Sequence, residues 1–177
     1  MAEFDYSKKI AKKKDAPNEK GLKSFFYIAP KSWFNALQSF KAVPAAPGDT
    51  ILIDTDHTFL AGKGFIEIET SLDNQLAAEL VGDLGGKGFM NKFEGFYPGN
   101  DIVAAEMFSH LKDDDCVVLV PLADNQYLQL GRDGLWAQVS AGYNSGQNSG
   151  GKNGWPVTVE SYNGTPIYYT GAITLKP

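Results

Sequence analysis

The densest group of side chains that could bind a metal or move a proton is the run at residues 54–57, Asp-Thr-Asp-His. In an extended strand Asp54 and Asp56 would share one face, while His57 would point to the opposite face. A metal site needs three or four converging ligands, and the only other histidine, His110, lies in a different segment. We therefore expect no metal here, and we interpret the aspartates as turn residues and His57 as a surface residue.

A second candidate is the glycine-rich run at residues 82–88, which at first sight has the composition of a phosphate-binding loop. Such a loop needs a glycine five positions before its Gly-Lys pair and a serine or threonine directly after the lysine. Val81 and Gly88 occupy those two positions instead. The run is therefore predicted to be a flexible loop between strands, and no nucleotide cofactor is expected.

The other acids and nucleophiles stand alone in the sequence. Glu67 and Glu69 alternate with apolar residues, which predicts a solvated strand face rather than the opposed carboxylates of a glycosidase. Cys116 begins an apolar run and is expected to be a buried thiol. With two histidines and no nucleophile motif beside them, no catalytic triad is indicated. We predict no catalytic residue, no metal and no cofactor, and hence a protein that is not an enzyme.

Tyrosine and tryptophan residues are concentrated in the last third of the chain, where a surface row of rings could bind a sugar. Aromatic side chains are also common in strands and in subunit interfaces, so core packing or subunit contact is the competing interpretation. The residues concerned are Trp136, Tyr143, Trp155, Tyr162, Tyr168 and Tyr169.

The elements that would position these residues are mostly strands. Runs of apolar or alternating residues bounded by Gly and Pro predict strands, whereas residues 75–81 fit a strand or a helix equally well. The clearest predicted strands are residues 24–29, 64–70, 89–97, 116–122, 126–130, 134–141, 155–161 and 167–173.

Two segments show helical spacing. Residues 32–40 predict a short helix or helical turn, and a longer helix is predicted after a cap at Asn100 or Asp101. The apolar stripe of the longer helix would consist of Ile102, Val103, Met107, Phe108 and Leu111. The predicted fold is mainly β (α+β), an antiparallel β-sandwich or barrel-like sheet with one flanking α-helix, in a single domain over residues 25–177.

Charge separates the chain into two parts. Residues 1–24 carry seven lysines and four acids, a net charge of +3, and the remainder carries nine basic and seventeen acidic residues, a net charge of −8. The first part predicts a flexible basic arm, either a partner-binding segment or a solubilising tail. The acidic body argues against a DNA-gripping module, and no apolar run is long enough to suggest a membrane span.

Five segments together resemble the tail tube (major tail) proteins of tailed bacteriophages, especially those of Bacteroidetes-type hosts. The similarity lies in an apolar Phe-Tyr-Ile-Ala-Pro segment, an Asp-His-Thr-Phe strand, a Phe-Tyr-Pro-Gly turn before the helix, and two closing strands. In this chain these segments are residues 26–30, 56–59, 96–99, 154–160 and 166–173.

The resemblance implies a virion protein that is assembled in the host cytoplasm into the tail. Its partners would be copies of itself, other tail proteins and DNA that passes through without specific binding. Six subunits would close a ring by continuing one another's sheets, rings would stack into a tube, and an acidic lumen would keep DNA from adhering. Alternatives are another phage structural role, such as capsid decoration or tail completion, or a carbohydrate-binding β-sandwich.

Subunit contacts are expected at the glycine-rich run 142–154 and at the terminal strand, which we predict to be the edge that a neighbour pairs with. Stacking would use this run, the 82–88 loop or the basic arm. The suspected interface residues are Gly142, Tyr143, Asn144, Gly150, Lys152, Trp155, Tyr168 and Tyr169.

Overall fold

The computed structural model describes residues 21–71 and 73–177. The predicted basic arm therefore lies outside the described residues except for its last four. Within those four, Leu22 forms a bridge with Leu122, and the Lys23 N–H donates to the Pro121 carbonyl. These two residues thus already belong to the margin of the folded body.

Twelve strands, one α-helix and one 3-10 turn make up the regular structure of the described residues. The α-helix, α1, spans Ile102–Leu111, and the 3-10 turn spans Lys31–Trp33. In chain order the strands are β1 (Phe25–Pro30), β2 (Phe34–Ala36), β3 (Leu52–Ile53), β4 (Thr58–Phe59), β5 (Ile66–Glu69), β6 (Gln75–Val81), β7 (Gly88–Pro98), β8 (Cys116–Pro121), β9 (Tyr127–Leu130), β10 (Gln138–Ala141), β11 (Gly154–Asn163) and β12 (Tyr168–Tyr169).

Two main sheets pack against each other. The larger has the order β3-β12-β9-β8-β1-β5, the smaller has the order β10-β11-β7-β6, and β2 and β4 form a separate pair. All pairings are antiparallel except that of β12 with β3. This arrangement confirms the predicted mainly β fold with one helix, and the ambiguous residues 75–81 form a strand.

The larger sheet is covered on both faces. On one face Phe26, Val118 and Leu130 contact Phe93 and Val159 of the smaller sheet. The other face carries a second apolar cluster, which is covered by the segment that contains β2 and β4. Double coverage explains why every residue of β8 is buried and why its sequence is uniformly apolar rather than alternating.

The helix begins where the sequence predicts, because the Asp101 carboxylate accepts a hydrogen bond from the Val103 N–H at 3.2 Å. The predicted apolar stripe is only partly right. Ala104, Phe108 and Leu111 are buried, whereas Ile102 and Val103 are 84% and 71% exposed. Positions 104, 108 and 111 share one helix face, so the first turn directs its two branched residues away from the core.

The prediction of a short helix or helical turn over residues 32–40 holds only for its first residues. The chain makes one 3-10 turn and then enters β2, whose Phe34 pairs with Phe59 of β4 at a ring separation of 4.6 Å. The apolar residues at helical spacing are used instead to cover the outer face of the larger sheet. Tertiary packing therefore overrides the local pattern here.

Candidate assembly surfaces

The side chains that could bind a metal or move a proton make structural contacts instead. Among residues 21–71 and 73–177, no three His, Cys, Asp or Glu side chains form a group that could hold a metal ion. Asp54 forms an ion pair with Lys41 at 2.9 Å, and Asp56 accepts a hydrogen bond from the Ala172 N–H at 2.7 Å. Both aspartates thus stabilise loops, in agreement with their interpretation as turn residues.

The sequence suggested that His57 is a surface residue, and this prediction is wrong. In the structure His57 is buried, with only 2% of the residue exposed. Its Nδ1 accepts the Gln38 N–H at 3.0 Å, so the proton of the neutral ring lies on Nε2, which donates to Gln129 Oε1 at 2.9 Å. The ring stacks on Tyr169 with a centroid distance of 4.6 Å. His57 therefore fastens the segment that contains β2 and β4 to the larger sheet.

Acidification is expected to destabilise the fold through His57. Burial lowers the His57 pKa from 6.5, so the unfolded chain binds a proton more readily than the folded chain. The contribution of neutral His57 to the free energy of unfolding is complete above pH 6.5 and is lost as the pH falls through the lowered pKa. The loss arises because protonated Nδ1 can no longer accept the Gln38 N–H. Urea unfolding at pH 7.5 and pH 5 should show this loss.

The control for this prediction is His57→Gln, which cannot titrate. This variant should be less stable than the wild type at pH 7.5 but should lose less stability between pH 7.5 and pH 5. Equal losses in the two proteins would show that His57 does not carry the pH dependence.

Cys116 and the two strand glutamates lie where the sequence predicts. The thiol is fully buried, and burial is the main cause that raises the Cys116 pKa to about 12, which keeps it protonated at neutral pH. Glu67 and Glu69 are exposed on β5. The run at residues 82–88 leads from β6 into β7, as a loop between strands should.

The terminal strand is not a free edge, which corrects the prediction for Tyr168 and Tyr169. β12 is only two residues long and lies between β9 and β3 in the larger sheet. Tyr169 is fully buried, and its hydroxyl donates to the Ala172 carbonyl at 2.8 Å. Tyr169 therefore belongs to the core, while Tyr168 is half-buried against the other face of the sheet.

The run at residues 142–154 forms a long hairpin between β10 and β11. Asn144 and Gly154 exchange backbone hydrogen bonds of 2.9 Å, and Tyr143 donates to Asn153 Oδ1 at 2.9 Å. Lys152 forms an ion pair with Asp73 across a long sequence separation. The exposed tip, which includes Gly150, thus projects from a base that is fixed to the rest of the subunit.

Most of the aromatic rings that could have formed a sugar-binding surface pack against other residues of the same subunit. Trp155 is half-buried and contacts both Phe108 and Tyr143. Trp136 packs against the second apolar cluster, and Lys31 Nζ lies 4.7 Å from the centroid of its ring. Tyr143 and Tyr162 are 45% and 40% exposed. Trp155 therefore supports the hairpin base within the subunit.

The smaller sheet has two edge strands, β6 and β10, that the sequence alone did not identify. The Phe96 carbonyl accepts from the Ser71 N–H, so even-numbered residues of β7 face β6. In the observed register Ala77 and Glu79 pair with Lys92 and Met90. The backbone groups of Leu76, Ala78 and Leu80 consequently point outward, away from β7.

The edge formed by β10 is shorter. The Gly142 N–H donates to the Pro156 carbonyl, which places even-numbered residues of this strand toward β11. Val139 and Ala141 therefore direct their backbone groups outward, while Ala137 already exchanges hydrogen bonds with Cys116. Within the described residues, both edges of the smaller sheet thus carry outward-facing backbone groups. Those of Ala78 and Leu80 on β6 belong to exposed residues, whereas Val139 on β10 is only 3% exposed.

The outer face of the smaller sheet is solvated and acidic. Glu79, Glu94 and Glu160 are exposed on it, and they outnumber the one strand lysine, Lys92. The Lys92 ammonium lies 2.8 Å from Glu94 Oε1, and the hydrogen bond that it donates to Glu94 is the main cause that raises the Lys92 pKa. The four charged side chains together carry a net charge of −2.

No helix in the described part of the chain combines the length and apolarity needed to cross a membrane. No family model, curated protein or solved structure matches this chain.

Proposed function

We propose that the chain is a self-assembling structural protein whose rings stack into the tail tube of a tailed bacteriophage. The proposal rests on one observation: the smaller sheet has outward-facing backbone groups at both edges and an acidic outer face. A sheet of this kind can continue into the next subunit on each side. The ring would then be lined by the outer faces of these sheets.

The two edges differ, which favours a ring over a two-fold dimer. β6 of one subunit would pair with β10 of the next, and repetition of this head-to-tail contact closes when the rotation per subunit divides a full turn. β6 presents Ala78 and the 62% exposed side chain of Leu80 at its margin. A long edge strand with an exposed apolar side chain is a surface that subunit pairing would cover.

The charge of the outer face suits a channel for DNA. Carboxylates of Glu79, Glu94 and Glu160 repel phosphates, so a lumen lined by them would not retain a passing duplex. Six copies, as the family resemblance implies, would repeat the same acidic face around the channel. The proposal thus assigns DNA passage to repulsion rather than to specific binding.

Replacing the hairpin tip, residues 145–150, with a two-residue Asn-Gly turn is expected to prevent stacking but not ring formation. The tip is exposed, and the bridge between Asn144 and Gly154 below it remains, so the free energy of unfolding should change by no more than about 1 kcal/mol. Electron microscopy should then show separate rings. Tubes of normal length would show that the tip does not connect rings.

Negative-stain electron microscopy of the purified chain over a range of concentrations tests the proposed function. Rings, or tubes with a regular axial repeat, are expected. A protein that remains monomeric at all concentrations, or that forms only dimers, would contradict it.

A further inference from the structure

An open groove of about 660 Å³ lies between α1 and the edge strand β5. Its wall on the helix side includes Val103, which is 71% exposed, and the opposite wall includes Leu175, which is 49% exposed. Further apolar residues in the lining are Met107 and Leu111 on the helix side and Phe65 and Ile66 on the strand side. The groove therefore offers a continuous apolar surface to an extended segment of chain.

The strand at the groove also offers backbone hydrogen bonds. The Phe65 N–H donates to the Thr174 carbonyl, and the Lys176 N–H donates to the Phe65 carbonyl, so Phe65 faces away from β1. The backbone N–H and carbonyl groups of successive residues in a strand point to alternate sides, so those of Glu67 also point away from β1. Within residues 21–71 and 73–177, β5 is the last strand on this side of the larger sheet.

Close packing fixes the C-terminal tail along the start of this edge. A Cβ at Gly64 would lie 2.5 Å from the Leu175 carbonyl carbon, so only glycine allows the tail to approach this closely. The tail thus closes one end of the groove. The next position on β5 at which another strand could pair is Glu67, whose backbone N–H and carbonyl point outward. A segment that enters the groove can add a strand there.

The rim of the groove is acidic. Glu67, Glu106 and Asp114 line it, against one lysine, Lys176. The Lys176 ammonium lies 5.4 Å from the Trp33 ring centroid, and His110 is the remaining basic side chain in the lining. A suitable occupant therefore combines a small apolar anchor with flanking positive charges.

Residues 1–20 of this chain supply that chemistry in their sequence. Residues 8–14 read Lys-Lys-Ile-Ala-Lys-Lys-Lys, with five lysines, no acid and one branched apolar residue, Ile10. In an extended segment Ile10 would enter the apolar groove while neighbouring lysines reach the acidic rim. No other segment of the chain combines five lysines with an apolar residue in seven positions.

We propose that residues 8–14 of a second copy occupy this groove, an inference that builds on the proposed stacking of subunits. The chain leaves the described body at Gly21, beside the bridge of Leu22 with Leu122, whereas Pro30 at the far end of β1 lines the groove. Leu22 lies twelve positions after Ile10 in the sequence, and a chain of this length spans up to about 40 Å when extended. An extended arm of this length would be long enough to leave its own subunit and enter the groove of a second copy.

Site-directed cross-linking in the full-length chain tests this docking. An Ile10→Cys protein is mixed with a Val103→Cys protein, oxidised, and analysed by mass spectrometry for the peptide pair that joins positions 10 and 103. Docking brings the two thiols to a high effective concentration, so this pair should form roughly tenfold more than with a Leu84→Cys control. Leu84 is 94% exposed in the loop between β6 and β7 and does not line the groove, and the wild type reports any contribution of buried Cys116.

A charge swap provides the second measurement. Glu106→Lys with Asp114→Lys should reduce the cross-link several-fold, and the additional change of Lys9, Lys12 and Lys13 to Glu should restore it. Equal cross-linking at positions 103 and 84, or no response to the swap, would overturn the proposal. So would exclusively intramolecular cross-links in the Ile10→Cys, Val103→Cys double variant.

Microscopy of the same samples separates this inference from the proposed function. Rings without the specific cross-link would overturn the docking and leave the tube proposal standing. The specific cross-link without rings would support the docking and contradict the tube proposal.

Discussion

Replacing Ala78 with proline is expected to leave the subunit folded but to abolish ring formation. The backbone of Ala78 points outward from β6, so its N–H is available to a neighbour and is not used by β7. Proline removes this donor, and a partner carbonyl left without a hydrogen bond costs about 1–3 kcal/mol. The association constant of each interface would therefore fall roughly 5- to 150-fold, and the loss would recur at every interface of a ring. Sedimentation velocity measures the assembly.

Two variants serve as matched controls for this result. Ala78→Thr keeps the N–H and a strand-forming side chain, and it should assemble normally. Ala77→Pro removes a donor that faces Lys92 of β7, so it should destabilise the monomer itself. If Ala78→Pro formed rings at wild-type concentrations, β6 would not be a pairing edge.

Replacing Tyr169 with alanine is expected to lower the free energy of unfolding by about 3–5 kcal/mol. The side chain is fully buried and stacks on His57, and its removal leaves a large cavity beside Phe65 and Ile167. The hydroxyl also accepts the His57 N–H at 3.3 Å and donates to the Ala172 carbonyl. Urea denaturation of the monomer measures the change.

Comparison variants separate core packing from subunit contact. Tyr169→Phe keeps the ring and should lose only about 1–3 kcal/mol, because two backbone groups lose their partner. Tyr168→Ala, on the half-buried neighbour, should lose less than Tyr169→Ala. If the Tyr169→Ala protein had wild-type stability but failed to assemble, Tyr169 would be a residue of the subunit interface and not of the core.

Local sequence patterns predicted the strand content and the helix start well. The alternation of apolar and acidic residues around Ile68 marks a half-buried strand, and the position of Asp101 before an apolar run marks a helix cap. Both patterns depend on residues that are close in the chain. The uniformly apolar run at Cys116 likewise indicated a buried strand, which the coverage of both sheet faces explains.

The order of strands within the sheets could not be predicted in this way. The run around Tyr168 looks like an exposed terminal strand, but it lies between β9 and β3 because the chain crosses from one sheet to the other after Asn163. The burial of His57 depends on Gln129, a partner 72 residues away. Such long-range contacts leave no local periodicity, and the same limitation concealed the outward backbone of Ala78.

The most direct test of the proposed assembly is a cryo-electron microscopy reconstruction of the assembled protein at a resolution that separates strands. We expect β6 of each subunit to be hydrogen-bonded to β10 of the next, with Glu79, Glu94 and Glu160 facing a central channel. A ring whose subunits meet through other surfaces, or one whose channel is lined by the larger sheet, would contradict the proposal.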